Sequence, residues 1–212
     1  YNSEKFKDNP PRTWTDFWDL KKYPGKRMLR KQVHGVLDAA VMSTGVAPAD
    51  VYPIDVAKGF ERIRQIKGDC VFWNSGSESE QIMRQGEAVM GLMWHTRARV
   101  LNEETKGKID FTFNQGILQP GTYVVMKNGP GGREAAMRFL ASIQEPQGQL
   151  EIFRQMGNGP VTPEAIAMIP PELRRFDPMS PENLKVQCIY NGDWYAEKQA
   201  QLIQQYLDLI SS

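Results

Sequence analysis

Two short polar segments of this chain carry the side chains best suited to binding a small solute. Trp94 and Arg97 follow one apolar run, and Asn74, Ser75 and Gly76 follow another. An indole face attracts a cation or an apolar ligand body, whereas an arginine can hold a carboxylate or phosphate through two parallel hydrogen bonds. The small residues of the turn supply short hydrogen-bond donors. These residue types therefore predict recognition of a small polar molecule.

The same residues also have ordinary structural explanations. Arg97 could equally be an arginine on the surface of a helix. Turn chemistry explains the segment 74–76 whether or not it also binds a ligand. His95 could donate a hydrogen bond to a ligand, but a structural or exposed role explains a lone histidine better.

The elements around these segments form a predicted strand–helix–strand unit. Cys70–Trp73 has the length and composition of a strand. Ser77 with Glu80 three residues later predicts a helix start, and Gly86 predicts the end of that helix. The apolar run 88–93 predicts a second strand. Ligands bind at the carboxyl ends of strands in an open α/β sheet, and the free amides of the helix start add a place for an anion.

Strand-like and helical patterns alternate along the chain, which predicts an α/β fold with a mostly parallel sheet. Further strands are expected at 27–29, 110–113 and 123–126. Helices are expected after Thr13, around 33–41, around 56–68, around 136–143, after Pro146 and from Asp193 onward. The proline-rich segment 163–181 predicts irregular structure with short helical turns.

Composition and motif content exclude several classes of protein. The chain has 212 residues, enough for one sizeable core or two small ones. A net charge of +1 gives no broad basic surface for nucleic acid, and the apolar runs are too short to span a bilayer. No nucleophile elbow, metal-spaced His/Cys set or phosphate loop is recognisable. We therefore expect no catalytic residue, no metal site and no cofactor.

Cys70 and Cys188 are the only cysteines. Two cysteines do not make a metal site alone, but they could form one disulfide in an oxidising compartment. Both lie in apolar, strand-like runs, so buried thiols are the simpler interpretation. Sequence spacing alone leaves the disulfide open.

Eight short motifs, in order along the chain, give it a resemblance to a known family. They are PRTWTDFWD at 11–19, YPGKR at 23–27, FWNSG at 72–76, QGEA at 85–88, WHTRA at 94–98, EAAMRFL at 134–140, GNGP at 157–160 and NGDW at 191–194. The chain resembles the bacterial extracellular solute-binding proteins of the spermidine/putrescine type, which feed ABC importers. Each motif is weak alone, but the ordered set is specific for the family, though not for a ligand.

The resemblance implies a type II periplasmic-binding-protein fold, with two α/β lobes joined by crossing strands and a solute held between them. Family members are usually much longer, so the chain looks N-terminally truncated, with one mostly complete lobe and part of another. Residues 1–119 and 164–212 would form the second, C-terminal lobe, and 120–163 would remain from the first. Val124, Phe139 and other apolar side chains of that remainder, Phe153 included, would lack cover, which predicts self-association.

The resemblance also adds candidate ligand-binding residues. The family places an aromatic residue in the cleft at the position of Trp94, and the alternative is a core or interlobe tryptophan. Gln119 and Tyr123 lie near the second crossing between lobes, where hinge packing is the alternative. Asp193 and Trp194 begin the last helix in another contact region, although a packing anchor explains Trp194 better.

Departures from the polyamine pattern predict the charge of the ligand. Polyamine binders of this type hold ammonium groups with carboxylates and tryptophan. The matching positions here carry no acid, and they are Gln32, Gly35, Gln119 and Gly121. A buried ammonium ion without a carboxylate is strongly disfavoured. Arg30 and Lys31 stand nearby, in a basic run that is otherwise typical of a solvated face or lobe edge. An anionic, zwitterionic or neutral polar solute fits these residues better.

The leading hypothesis is the solute-binding component of an ABC importer. It would capture a small polar solute between two lobes and deliver it to the permease, in the periplasm or tethered outside the cell. The polar start Tyr1–Lys5 is not a signal peptide. Two alternatives stay open, namely a hydrolase or transferase on a two-lobe α/β frame and a ligand-sensing domain of a regulator. Turnover of a candidate solute would favour the enzyme, and permease genes beside a gene with a signal peptide would favour the importer over the regulator.

Overall fold

A three-stranded parallel sheet organises the larger part of the chain. In the computed structural model, which describes residues 1–212, β1 (Arg27–Arg30) is central, with β2 (Cys70–Trp73) and β3 (Met90–Gly91) on its two sides. Parallel strands place all their carboxyl ends at one edge of the sheet. The predicted α/β fold with a parallel sheet is confirmed.

Five helices accompany these strands in the first half of the chain. They are α1 (Trp14–Trp18), α2 (Val36–Met42), α3 (Val56–Ile66), α4 (Gly76–Arg84) and α5 (His95–Glu104). The side chain of Thr13 accepts the backbone N–H of Asp16, and the Asp16 carboxylate accepts the backbone N–H of Thr13 in return. This confirms the helix start predicted after Thr13, because such reciprocal caps satisfy two otherwise unpaired donors.

The sheet is covered on both faces, as adjacent residues of β1 show. Leu29 belongs to the larger apolar cluster, which includes every apolar residue of α2. Its neighbour Met28 belongs to a second cluster with Trp73 and Leu101. Successive side chains of a strand point to opposite faces, so both faces are buried. Such burial is typical of parallel sheets.

The chain divides into two compact units. The first contains residues 1–118 and 186–212, and the second contains 119–185. The residues 164–185 thus group with 119–163, whereas the sequence resemblance assigned all of 164–212 to the other lobe. Which unit corresponds to which lobe of a two-lobe protein stays a prediction.

The second unit is helical. Its elements are α6 (Gly132–Ser142), α7 (Pro146–Met156), α8 (Pro163–Ala167), a 3-10 helix (Pro171–Phe176) and α9 (Pro181–Leu184). The left-handed backbone of Gly157, with φ of 83°, ends α7. Phe153 is fully buried, which corrects the expectation that it lacks cover. Val124 and Phe139 remain 76% and 56% exposed.

Two short strands and a long helix complete the first unit. β4 (Ile117–Leu118) pairs in parallel with β5 (Cys188–Ile189), and α10 (Gly192–Ser211) follows. Tyr195 and Tyr206 of α10 are buried in the larger apolar cluster.

Both cysteine thiols are free, and burial raises the pKa of each to about 12.

Two predicted strands are absent and one is shorter than expected. Residues 110–113 and 123–126 lie outside helix and strand. Ile109 instead makes an isolated antiparallel bridge to Asn2, and Asp110 bonds to the backbone of Tyr1. Only two residues of the apolar run 88–93 form β3.

No helix is long and apolar enough to cross a bilayer.

Candidate functional site

The carboxyl ends of β1, β2 and β3 bring together five of the predicted ligand-binding residues. Asn74, Ser75 and Gly76 directly follow β2, and Trp94 and Arg97 follow β3 at the start of α5. We call these residues, together with Arg30 at the end of β1, the strand-end cluster. The indole of Trp94 is 40% exposed and meets the ring of Trp73 edge-on, with 5.4 Å between centroids.

The start of α4 differs from the sequence prediction. The helix begins at Gly76 with Ser75 as its cap, so the prediction that Ser77 caps the helix and pairs with Glu80 is wrong. The Ser75 hydroxyl accepts a hydrogen bond from the backbone N–H of Glu78. The Glu78 carboxylate accepts the backbone N–H of Asn74 at 2.7 Å. An acidic side chain of the protein thus already lies against the positive end of α4, which weakens this helix start as an anion site.

Arg97 already has a carboxylate partner. Its Nη1 lies 3.0 Å from Oε1 of Glu80, and Glu80 also lies 3.6 Å from Arg84. The Arg97 side chain is 47% exposed. This ion pair accounts for Glu80 better than the predicted helix cap does. A solute carboxylate would have to compete with Glu80 for the Arg97 guanidinium.

Gly76 permits a close approach at the centre of the cluster. A Cβ atom at this position would stand 2.8 Å from Nε of Arg97 and 3.2 Å from the indole of Trp94. Both separations are shorter than ordinary van der Waals contact. The absence of a side chain at Gly76 therefore lets the start of α4 pack against Trp94 and Arg97.

Arg30 is the residue of this cluster that sequence reasoning did not select as a binding residue. Its guanidinium carbon lies 4.9 Å from the ring centroid of Trp94 and 5.5 Å from that of Trp73. Its Nε is buried and makes no hydrogen bond. Burial lowers the pKa of Arg30, and no acidic neighbour opposes that shift. The register of β1 with β2, which sets Arg30 opposite Trp73, is the pairing that sequence alone could not supply.

A buried carboxylate lies behind the end of β1. Asp38 accepts hydrogen bonds from the backbone N–H of Gly35 and from the hydroxyls of Tyr52 and Tyr195. Burial, followed by the negative charge of Asp38, raises the pKa of both tyrosines. These bonds satisfy the carboxylate and tie α10 to α2. The ring of His34 lies 4.8 Å from that of Tyr195.

The other predicted residues lie elsewhere. Asp193 and Trp194 are in the first turn of α10, where Asn191 caps the helix. The Trp194 ring packs edge-on against Tyr52 at 5.8 Å, in agreement with a packing role. Gln119 and Tyr123 belong to the second unit.

In the second unit, the Tyr123 ring is 65% exposed and lies 6.3 Å from that of Phe139. The chain contains no group of three or more His, Cys, Asp or Glu residues arranged to hold a metal ion.

A model of the bacterial extracellular solute-binding protein family matches residues 1–175. The chain belongs to this family. Its fold is α/β and resembles the periplasmic binding proteins of known structure. This assignment agrees with the ordered motifs that predict the family from the sequence.

Individual relatives agree with the family. The gamma-aminobutyric acid-binding protein of Pseudomonas aeruginosa is 27% identical over 211 residues, covering 97% of this chain and 59% of that protein. An ABC transporter substrate-binding protein from Bradyrhizobium japonicum USDA 110 is 33% identical with a TM-score of 0.91, and the match covers 99% of this chain and 66% of that one. The PBP MotA from A. tumefaciens B6, solved with glucopine, is 26% identical with a TM-score of 0.90, and the match covers 99% of this chain and 67% of that one.

The spermidine/putrescine type is supported only distantly. PotD from Streptococcus pneumoniae is 16% identical with a TM-score of 0.65, covering 99% of this chain and 65% of that one, which is a likeness of fold alone. The relatives are solute-binding proteins of ABC transporters and not enzymes, so a hydrolase or transferase is not favoured. The chain spans 59% of the length of the curated relative that it matches.

Proposed function

We propose that the whole protein captures a small anionic or zwitterionic solute and delivers it to the permease of an ABC importer, in the periplasm or outside the cell. The observation that carries this proposal is a half-exposed tryptophan, Trp94, which contacts the guanidinium of Arg30 and shares the carboxyl edge of a parallel sheet with Arg97. This edge is where open α/β sheets bind ligands. The family to which the chain belongs supplies the transport role.

The acidic residues beside the strand-end cluster already have protein partners, which favours such a solute over a polyamine. Glu78 already accepts the backbone N–H of Asn74, and Glu80 is paired with Arg97. A ligand ammonium group needs a carboxylate on losing its water, and it would have to compete with these contacts. A relative that binds gamma-aminobutyric acid, whose molecule carries a carboxylate and an ammonium group, supports a zwitterion.

In this proposal Trp94 contacts the body of the solute. Arg97 and the donors of Asn74, Ser75 and Gly76 line the same edge. Gln119 and Tyr123 of the second unit, with Asp193 and Trp194 of α10, remain further predicted contacts. A polyamine-type ligand is the alternative that the relatives support least, since its representative shares only the fold.

Isothermal titration of the whole protein tests the proposal. We expect gamma-aminobutyric acid or glutamate to bind more tightly than putrescine or spermidine. Trp94→Leu should weaken binding by about tenfold or more, since a lost aromatic contact is worth about 0.5–1.5 kcal/mol beyond its buried area. Met156→Ala, at an exposed residue of α7, is the matched control and should bind normally. Tight spermidine binding that is unchanged in Trp94→Leu would contradict the proposal.

A further inference from the structure

Arg30 is a partly buried arginine of the first unit whose guanidinium has no carboxylate partner. Arg84, Arg97 and Arg99 each form an ion pair with a glutamate. Arg27 donates to backbone carbonyls from all three of its nitrogens. Arg30 forms no ion pair, and its buried Nε makes no hydrogen bond. A buried donor without a partner costs about 1–3 kcal/mol, so the position of the Arg30 Nε opposes the stability of the fold.

The two indoles around Arg30 hold its guanidinium in place. Trp73 is fully buried, and its Nε1 donates to the backbone carbonyl of Leu92, which fixes its ring. Trp94 meets Trp73 edge-on, and the guanidinium of Arg30 lies within cation–π distance of both rings. The Arg30 backbone is anchored as well, because Tyr206 donates its hydroxyl proton to the Arg30 carbonyl at 2.6 Å. The charged group is therefore positioned before any ligand arrives.

This placement has two consequences for a solute at the strand-end cluster. The guanidinium takes up the position near Trp94 that a ligand ammonium group would need, and two like charges there would repel each other. The same group offers planar donors that match a carboxylate. Arg97 of the same cluster is already bound to Glu80.

We propose that Arg30 is the residue that selects a carboxylate-bearing solute and rejects a polyamine, by holding its guanidinium against Trp94 and donating to the solute carboxylate. This inference rests on the proposed solute-binding function and names the group that the site recognises. It assigns to Arg30 the role that sequence reasoning gave to Arg97.

Acid–amide pairs of solutes provide the test. Binding of gamma-aminobutyric acid and 4-aminobutanamide, and of glutamate and glutamine, is measured with the whole protein by isothermal titration. Each amide replaces one carboxylate oxygen with NH2 at nearly constant shape. The wild type should prefer one acid over its amide by about 10- to 150-fold, the range of one hydrogen bond to a charged group. Arg30→Met should reduce that ratio to about one, and it should improve the relative affinity for putrescine.

Arg84→Met is the control, because it removes an exposed arginine outside the strand-end cluster, where it pairs with Glu104. It should keep the acid-over-amide ratio. Arg30→Gln should reproduce the loss seen in Arg30→Met, and it replaces that variant if the methionine protein does not fold. Circular dichroism and the urea midpoint verify folding, and a merely structural role for Arg30 would lower affinity for acid and amide alike.

The outcomes separate this inference from the proposed function. An unchanged acid-over-amide ratio in a folded Arg30 variant would overturn the role of Arg30 while leaving solute capture intact. A wild type that binds putrescine or an amide more tightly than every acid would overturn it too. A wild type that binds no solute of the panel, spermidine included, would contradict solute capture itself, and the inference would fall with it.

Discussion

The two ends of β1 use the same residue type for opposite purposes. Arg27 begins the strand and is fully buried, and it donates hydrogen bonds to the backbone carbonyls of Phe17, Gly25 and Tyr23 at 2.6–2.7 Å. Arg30 ends the strand three residues later, where its guanidinium rests against two indoles without a carboxylate. Each nitrogen of the Arg27 guanidinium donates to a protein carbonyl, whereas the Arg30 guanidinium keeps N–H donors that a ligand could use.

The difference follows from the direction of a parallel sheet. At the amino ends of the strands, α1 and the segment that joins it to β1 supply the carbonyl acceptors of Arg27. At the carboxyl ends, the chain passes into the starts of helices, which present backbone donors rather than acceptors. At that edge Arg30 contacts aromatic faces and forms no ion pair. In this four-residue strand, the arginine at the start stabilises the fold and the arginine at the end is the one that we propose recognises a solute.

The largest effect that we predict concerns Arg27. Arg27→Met should lower the free energy of unfolding by about 3 kcal/mol or more, because each buried carbonyl left without a donor costs about 1–3 kcal/mol. Arg30→Met should change it by less than about 1 kcal/mol, because removal of the unpaired buried Nε and loss of the contacts with Trp73 and Trp94 act in opposite directions. Urea unfolding followed by circular dichroism measures both. Equal losses in the two variants would remove the distinction between the two ends of β1.

The sequence could not reveal this distinction. Both arginines fall in a basic run that predicts a solvated face, and that prediction is wrong for Arg27, which is fully buried. The run has no periodicity that marks a buried arginine, and the acceptors of Arg27 are backbone carbonyls, which any residue type supplies. Burial of a long cationic side chain depends on how the preceding segment folds back over the strand.

Other features of the structure could be predicted from the sequence. The capping pair Thr13 and Asp16 and the strands at 27–30 and 70–73 have local causes, and the structure confirms them. The residues 123–126 have strand composition but no backbone to pair with, so they form no strand. Strand formation depends on a neighbour that may be distant in the chain, whereas a helix start depends on four adjacent residues.

The candidate site also has some features that the sequence predicts and others that it does not. The motifs at 72–76 and 94–98 predicted a shared strand edge, and the two segments meet there. Ser75 rather than Ser77 caps α4, so Glu80 is not a capping residue, and its carboxylate pairs with Arg97 instead. That pairing could not be predicted from the sequence.

A smaller effect should come from crowding the carboxyl end of the sheet. Gly76→Ala places a methyl group 2.8 Å from Arg97 and 3.2 Å from Trp94. We expect a stability loss of about 1 kcal/mol, the lower range for overpacking, because the Arg97 side chain can move aside. Near-ultraviolet circular dichroism should register the displaced indole. Gly148→Ala in α7 has nothing within 4 Å of the new methyl group and is the control. No spectral change in Gly76→Ala would show that the cluster is looser than its geometry indicates.

The smallest effect should appear at His34. Burial lowers the His34 pKa below its usual 6.5, the charge of Arg30 lowers it further, and Asp38 opposes both. Because the folded pKa is lower than the unfolded one, the unfolded chain binds protons first. Stability is therefore full above pH 6.5 and declines as the pH falls through the folded pKa.

Arg30→Met should raise the His34 pKa and lessen this decline, whereas Arg97→Met should leave both unchanged. Heteronuclear NMR titration of the His34 ring, with His34→Gln to assign its signal, measures the pKa. Urea midpoints measured across the same pH range measure the decline. An identical His34 titration in the wild type and Arg30→Met would mean that the charge of Arg30 does not reach the interior behind β1. In that case the contrast between the two ends of the strand would rest on hydrogen bonding alone.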